Sequence, residues 1–377
     1  MADLFFYGTL CHVPLLELVL GRSADRLDLR PARLEGHGVY WAQGEAFPTI
    51  RAEDGSVAVG LVALGLGEED VARLMFYEGG FNYDLAPFEV TLGDGSRMVA
   101  RMFQPREGRW PVGSPWDLAA WENTWAPVNL RAAAEIMAWY GRLSPEQMAV
   151  RFGPIQRRAS SQVLATGRAA DPDHDPTRDV VVAEHRRAYL NFFAVDEMDL
   201  QYRRHDGRMS DVLNRAALMV GEASVVLPYD PRLDAVLLVE QFRAPVFMVG
   251  DPNPWVWEPV AGLVDAGETP EQCAHREAME EAGVKLSALH PAGKVYSSTG
   301  SSSEFLNLYI GMCDLSHVPS GGGGLVSEGE DLRSRLFGFD ELIAGVDAEQ
   351  FRDMPLVTTA LWLARHRERL RGSASGA

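Results

Sequence analysis

Between Gly262 and Val284 the chain spells out a loop and the helix it feeds, with both helix ends specified. Thr269 stands as an N-cap, Pro270 follows at the first helical position, and Gln272 completes a capping box. Gly283 stops the helix at C′. Inside it, Glu277, Glu280 and Glu281 fall at i, i+3 and i+4, on one face. Such carboxylates repel one another, and they crowd the helix C-terminus, where the macrodipole disfavours anions. The pattern reads either as a solvated acidic face or as a site for hard divalent cations, which take oxygen ligands. Arg276 and Glu268 are spaced to fasten the loop onto the helix.

Charge bears on that choice. The 377-residue chain has 35 Lys and Arg against 53 Asp and Glu, a formal charge of −18. Such a surface repels nucleic acid and anionic membranes, and neither is expected as a partner. An anionic substrate then needs a divalent cation as a bridge. Hydrophobic residues at 46% and charged residues at 23% are ordinary for globular chains, which excludes disordered and collagen-like classes. Cys11, Cys273 and Cys313 lack metal-site spacing and suit a reducing compartment. No apolar run is long enough to span a membrane, and the first residues lack the basic region of a signal peptide. The expected location is the cytoplasm.

Length suggests two or three domains, and three zones are visible. Residues 1–113 read as a β-rich α+β domain. Its strands are expected at Leu4–Tyr7, Ala32–Trp41, Val57–Leu64, Phe88–Leu92 and Arg97–Phe103, with helices at Pro14–Leu20 and Glu68–Tyr77. Residues 114–178 are helical, rich in tryptophan (Trp116, Trp121, Trp125, Trp139), and end in a proline-broken linker at Asp171–Pro176. They are expected to act as a connector whose tryptophans pack between domains. Residues 179–371 alternate strands with helices, as an α/β domain does.

The string from Gly262 to Val284 matches G-x5-E-x7-R-E-U-x-E-E-x-G-U at every fixed position, with Ala278 and Val284 as the apolar U residues. It therefore resembles the Nudix box. The resemblance implies a Nudix hydrolase, an α/β/α sandwich that cleaves nucleoside diphosphates linked to another group. By that resemblance Glu277, Glu280, Glu281 and the carbonyl of Ala261 would bind Mg²⁺, with Mn²⁺ as an alternative. The segments Ser224–Pro231, Val239–Arg243, Trp257–Gly262 and Tyr296–Glu304 look like the ADP-ribose pyrophosphatase branch. That branch is dimeric through exchanged N-terminal strands, and it releases AMP and ribose 5-phosphate. Ser298-Thr299-Gly300 departs from the Ser-Pro-Gly common there. The corresponding glycine-hinged acidic loop makes Glu328 the base candidate and Glu330 a metal-site candidate. Arg243 is a candidate for the diphosphate, since a guanidinium suits phosphoryl oxygens, or else a surface ion pair. Phe192, Phe193 and Arg215 are placed to stack on adenine or to serve as core, and Glu304 to orient the ribose or Arg243 or to pair structurally.

Near the start, Tyr7-Gly8-Thr9-Leu10 follows a strand and opens towards a helix. Exposed N–H groups in such a turn can hold a carboxylate. Further on, Glu78 ends a helix among aromatics and glycines, where an apolar pocket raises a carboxyl pKa. Together these resemble the γ-glutamylcyclotransferase-like fold. The resemblance implies that Glu78 shuttles a proton as a γ-glutamyl compound cyclises to 5-oxoproline, while the backbone of Gly8, Thr9 and Leu10 holds the substrate carboxylate. The alternatives are a retained fold serving as an interaction module, or a ligand sensor without turnover. Chains with this fusion resemble proteins labelled tellurite-resistance factors, a label that says little about chemistry.

Overall fold

Apolar residues at alternate positions along the first hundred residues give strands that close on themselves. The computed structural model describes residues 1–78, 83–106, 108–317, 322–323 and 331–374. The chain divides into two compact units, Met1–Arg168 and Ala169–Ala377.

The first unit opens with β1 (Ala2–Phe6), α1 (Val13–Leu20), β2 (Asp28–Ala42), β3 (Pro48–Leu66) and α2 (Glu68–Glu78). β4 (Tyr83–Leu92), β5 (Arg97–Pro105) and β6 (Val112–Pro115) complete its sheet. Strand order is β3-β1-β5-β4-β2-β6, and β3 also pairs with β2, so five strands close into a ring. Closure removes the exposed edges that open sheets must protect. One apolar cluster draws on all five strands, including Phe5, Leu34, Val62, Val90 and Met102.

Four helices follow: α3 (Leu118–Thr124), α4 (Ala126–Met137), α5 (Pro145–Ala149) and α6 (Phe152–Thr166). They were expected to form a separate connector, but they belong to the first unit, where α4 packs between α1 and α6. Two contacts explain this. Trp121 is fully buried, and its Nε1 donates to the Ala46 carbonyl at 2.8 Å, so this tryptophan packs within the unit. Arg158 on α6 meets Glu135 on α4 at 2.6 Å, both side chains almost wholly buried.

The second unit begins with α7 (Pro176–Asp179), then β7 (Val180–Leu190), β8 (Ala194–Tyr202) and β9 (Leu213–Met219), which form their own antiparallel sheet. β10 (Glu222–Asp230), β11 (Ala235–Phe242), α8 (Ala244–Met248), β12 (Trp255–Glu258), β13 (Val260–Leu263) and α9 (Pro270–Ala282) follow. β14 (Ala288–Tyr296), β15 (Phe305–Met312), β16 (Gly322–Gly323), β17 (Leu332–Gly338), α10 (Phe339–Asp347) and α11 (Met354–Ala374) end the chain. The large sheet runs β14-β15-β10-β11-β17-β16, with β12 on β11 and β13 on β10. β10 and β15 pair in parallel and are buried along their whole length. Side chains of β10, β11 and β15 alternate between two cores. Val226, Leu237 and Tyr309 pack towards α9, whereas Leu227, Leu238 and Ile310 pack towards α10 and α11. An α/β/α sandwich results, and it explains why these strands read as unbroken apolar runs.

Candidate functional site

Pairing of β13 with β10, Ala261 opposite Val225, lays the loop after β13 across α9. The helix is capped as its residues dictate. Thr269 Oγ1 accepts from the Gln272 N–H at 3.2 Å, and Gln272 Oε1 accepts from the Thr269 N–H at 2.8 Å. Arg276 ties the loop down: Nε and Nη2 each donate to Glu268 at 2.9 Å, and Nη2 also reaches the Leu263 carbonyl at 3.2 Å. Its Nη1 donates to Glu277 at 2.6 Å and to Glu280 at 3.0 Å. Glu268 and then Glu277 hold the guanidinium firmly in its charged form.

Glu281 is 3% exposed, and its Oε2 accepts the Ala261 N–H at 3.2 Å. Gly262 admits Glu277, because a Cβ there would lie 1.8 Å from Glu277 Oε1. Thus Ala261, Glu277, Glu280 and Glu281 are gathered at one end of the loop. Among the described residues no three acidic, histidine or cysteine side chains converge on one ready-made cation position. Arg276 is engaged with two of the three carboxylates. The donor set is nonetheless oxygen only, which fits a hard divalent cation. Such an ion entering between Glu277 and Glu280 competes with Arg276 Nη1.

Arg243 is not an open guanidinium. Its Nε donates to Glu258 Oε1 at 2.8 Å, its Nη2 pairs with Oε2, and Glu258 is 6% exposed. Beside this pair stands Asp353, whose Oδ2 accepts the Leu356 N–H at 2.8 Å and caps α11. Burial first, then the charge of Glu258, pushes the Asp353 carboxyl up to about 7, with Glu304 adding to the effect. Apart from an aspartate ahead of a helix, no sequence signal marks Asp353, so the cluster it forms with Arg243, Glu258 and Glu304 was not foreseen.

Phe193 lies in the turn between β7 and β8, edge-on to Phe192 at 4.9 Å. Arg215 is exposed on β9, opposite Met198. Since Ala194 pairs with Met219, the two lie four register steps apart, ~13 Å along the strand. Within one chain they do not meet around a single ring. Glu328 and Glu330 lie outside the described residues.

In the first unit, the turn after β1 faces the end of α2 across a cleft. A Cβ on Gly8 would lie 2.6 Å from Pro48 Cγ, so glycine is what allows the turn to sit there. Gly8, Thr9 and Leu10 line the cleft together with Glu78. The remaining wall is largely aromatic, with Tyr7, Phe47, Tyr77, Tyr83 and Phe103. Burial pushes the Glu78 carboxyl up to about 7. Tyr7 is already committed, its hydroxyl donating to the Phe103 carbonyl at 3.2 Å. Two further lining residues, Asn129 and Phe152, come from α4 and α6, and the strand–turn pattern of the first hundred residues holds no sign of them.

Comparison with known proteins decides the family. The model of the NUDIX domain matches residues 219–354. ADP-ribose pyrophosphatase of Escherichia coli is 32% identical over 204 residues, covering 53% of this chain and 97% of that protein. The chain belongs to the Nudix family. GDP-mannose pyrophosphatase of Cronobacter sakazakii is 30% identical over 171 residues, 44% of this chain and 85% of that protein. A solved structure titled as an ADP compounds hydrolase covers 52% of this chain and 96% of its own, with 16% identity and a TM-score of 0.40. The model described as gamma-glutamyl cyclotransferase, AIG2-like, matches residues 4–122. This Nudix hydrolase therefore carries a γ-glutamylcyclotransferase-like domain ahead of its hydrolase domain. None of these relatives carries a tellurite-resistance description.

Proposed function

We propose that the Nudix domain hydrolyses ADP-ribose to AMP and ribose 5-phosphate with Mg²⁺. The observation that carries the reading is Glu281, a carboxylate held 3% exposed with its Oε2 accepting the Ala261 N–H, on the same helix face as Glu277 and Glu280. With 32% identity over nearly the whole length of an ADP-ribose pyrophosphatase, ADP-ribose is the first substrate to test. Glu277, Glu280, Glu281 and the Ala261 carbonyl would hold the ion. When bound, it supplies charge neutralisation at the pyrophosphate and acidifies water. Arg276 keeps the loop on the helix, and Arg243, oriented by Glu258, offers its remaining N–H groups to the diphosphate. Glu328 is assigned as base and Glu330 as a further metal ligand. Glu304 and Asp353 hold the Arg243–Glu258 pair in place, and Phe193 and Arg215 take the adenine from two different chains of a dimer. Three unpaired cysteines accord with the cytoplasm.

The test is product analysis with Mg²⁺ on ADP-ribose, GDP-mannose and NADH, for wild type and Glu281→Gln. AMP and ribose 5-phosphate from wild type, with Glu281→Gln lower by orders of magnitude, are expected. Equal activity of the variant would remove Glu281 from the site.

A second reading applies to the first unit, on the strength of the Glu78 cleft. We propose that it converts γ-glutamyl amides to 5-oxoproline. The α-nitrogen attacks the γ-carbonyl carbon, a C–N bond forms, and the bond to the leaving nitrogen breaks. Of the protons on the α-ammonium, one stays on the ring nitrogen. The others pass through Glu78 to the leaving nitrogen, which departs as an alkylammonium. A carboxyl titrating near neutrality can both take and return these protons. Backbone N–H groups of Gly8–Leu10 hold the substrate carboxylate.

A further inference from the structure

β10 and β15, the parallel neighbours within the large sheet, end level with each other, Tyr229 opposite Met312. Outside these carboxyl ends lies a groove of about 940 Å³, lined in part by Pro231 and Cys313, the residues that follow the two strands and their turns. Its size takes a small organic ligand. Its place is one where α/β sheets commonly hold ligands, in the crevice beyond the carboxyl ends of parallel strands. Ala261, Glu277, Glu280 and Glu281 are not among its described lining residues, so the groove stands apart from the carboxylate cluster of α9.

The lining restricts what can enter. Its floor is aliphatic: Val284, Leu286, Met312 and Leu370 line it and are each less than 9% exposed. Val284 and Leu286 belong to the core against α9, Met312 and Leu370 to the core against α10 and α11, so the groove opens where the two layers meet at the end of the sheet. No phenylalanine, tyrosine or tryptophan is among the described lining residues, and a nucleobase finds no such ring to stack on.

Charge narrows the choice further. Arg232 and Asp314 meet at 2.6 Å and cancel each other. Lys285 is exposed and has no ion-pair partner among the described residues, which leaves one ammonium over an aliphatic floor. His290 is half-buried and makes no hydrogen bond to a described residue. Burial first, then the charge of Arg369, lowers its imidazole below the ordinary value, and a neutral imidazole keeps one N–H to donate. One ammonium and one N–H suit a single carboxylate; a polyphosphate would need several cations.

We propose that this groove binds aliphatic monocarboxylates free in solution, the carboxylate held by Lys285 and His290 and the chain laid along Val284, Leu286, Met312 and Leu370. The site is independent of the Glu78 cleft and of the α9 carboxylates.

The experiment is isothermal titration calorimetry of the full-length chain with sodium octanoate, sodium butanoate and octylamine. Wild type, Lys285→Glu and Ala288→Trp are compared. Both positions line the groove and are exposed, so neither substitution enters the core. Wild type should bind octanoate at least tenfold more tightly than butanoate, because the longer chain buries more methylenes. Octylamine has the same tail and the opposite charge, and it should give no binding heat. Lys285→Glu should weaken octanoate about fivefold or more, and Ala288→Trp, which fills the groove, should abolish its binding. Absence of octanoate binding, or octanoate affinity unchanged in both variants, would overturn the site. Octylamine bound as tightly as octanoate would overturn the role of Lys285, and butanoate bound as tightly would overturn that of the aliphatic floor; either result defeats the proposal.

Discussion

Glu281 and Glu78 are carboxyls held away from water for different ends. Glu281 accepts a backbone N–H and lies next to a loop bound by Arg276, with the Arg243 charge nearby. Glu78 faces rings, so its neutral form is favoured and its carboxyl rises from 4.5 to about 7. The consequence for pH follows from linkage. Between those values the folded chain keeps the proton and the unfolded chain has lost it, so stability falls as pH rises across the window. Glu78→Gln should flatten that slope, read as the difference between variant and wild type in denaturant unfolding at about pH 5 and about pH 8. An unchanged slope would mean that the Glu78 carboxyl is not shielded from water. As the base must be ionised, 5-oxoproline formation should rise with pH through about 7.

At the scale of elements, α9 was readable almost residue by residue. Its cap, its stop and the Arg276–Glu268 tie all join residues close in sequence, and local chemistry suffices to place them. Thr269→Ala removes the Oγ1 acceptor and leaves the Gln272 N–H unpaired, which should cost about 1 kcal/mol. A lower urea midpoint with unchanged slope in the transition of the second unit would show it. Strands were less legible. β2 and β3 run to 15 and 19 residues, longer than their apolar cores suggested, because pairing with three and two neighbours carries polar positions into the ladder. The sheet β7-β8-β9 had no clear signal, since β7 and β9 are mostly exposed, β8 is mostly half-buried, and none shows a regular buried–exposed alternation.

For the molecule as a whole, that exposed sheet bears on assembly. Val181, Val182, Tyr189, Phe192 and Tyr202 stand in solvent on its strands and turns, and Phe247, Met248, Val249 and Trp255 do so around α8 and β12. Exposed apolar surface of this extent marks interaction sites in soluble proteins. A homodimer built through β7-β8-β9 should give a light-scattering mass of twice 41.5 kDa, and Val182→Glu should move it towards 41.5 kDa. A single-chain mass for wild type would remove the dimer and, with it, the shared adenine site. The distribution of charge is also set at this scale: a chain of −18 gathers several oxygen donors around one loop-bound arginine.

What the amino-acid order determined alone was whatever depends on neighbours along the chain. The capped helix with its carboxylates, the glycine turn after the first strand, the two fold classes and the family resemblances all belong here. Tertiary structure alone decided which distant groups meet. It closed the first sheet into a ring, drew the tryptophan-rich helices into that unit through Trp121 and the Arg158–Glu135 pair, and set Asn129 and Phe152 beside Glu78. It also turned Arg243 onto Glu258 with Asp353 alongside, and it kept Phe193 apart from Arg215. The physical reason is the same in each case. A buried charge or ring takes its energy from partners brought near by packing, and separation along the chain does not encode that distance.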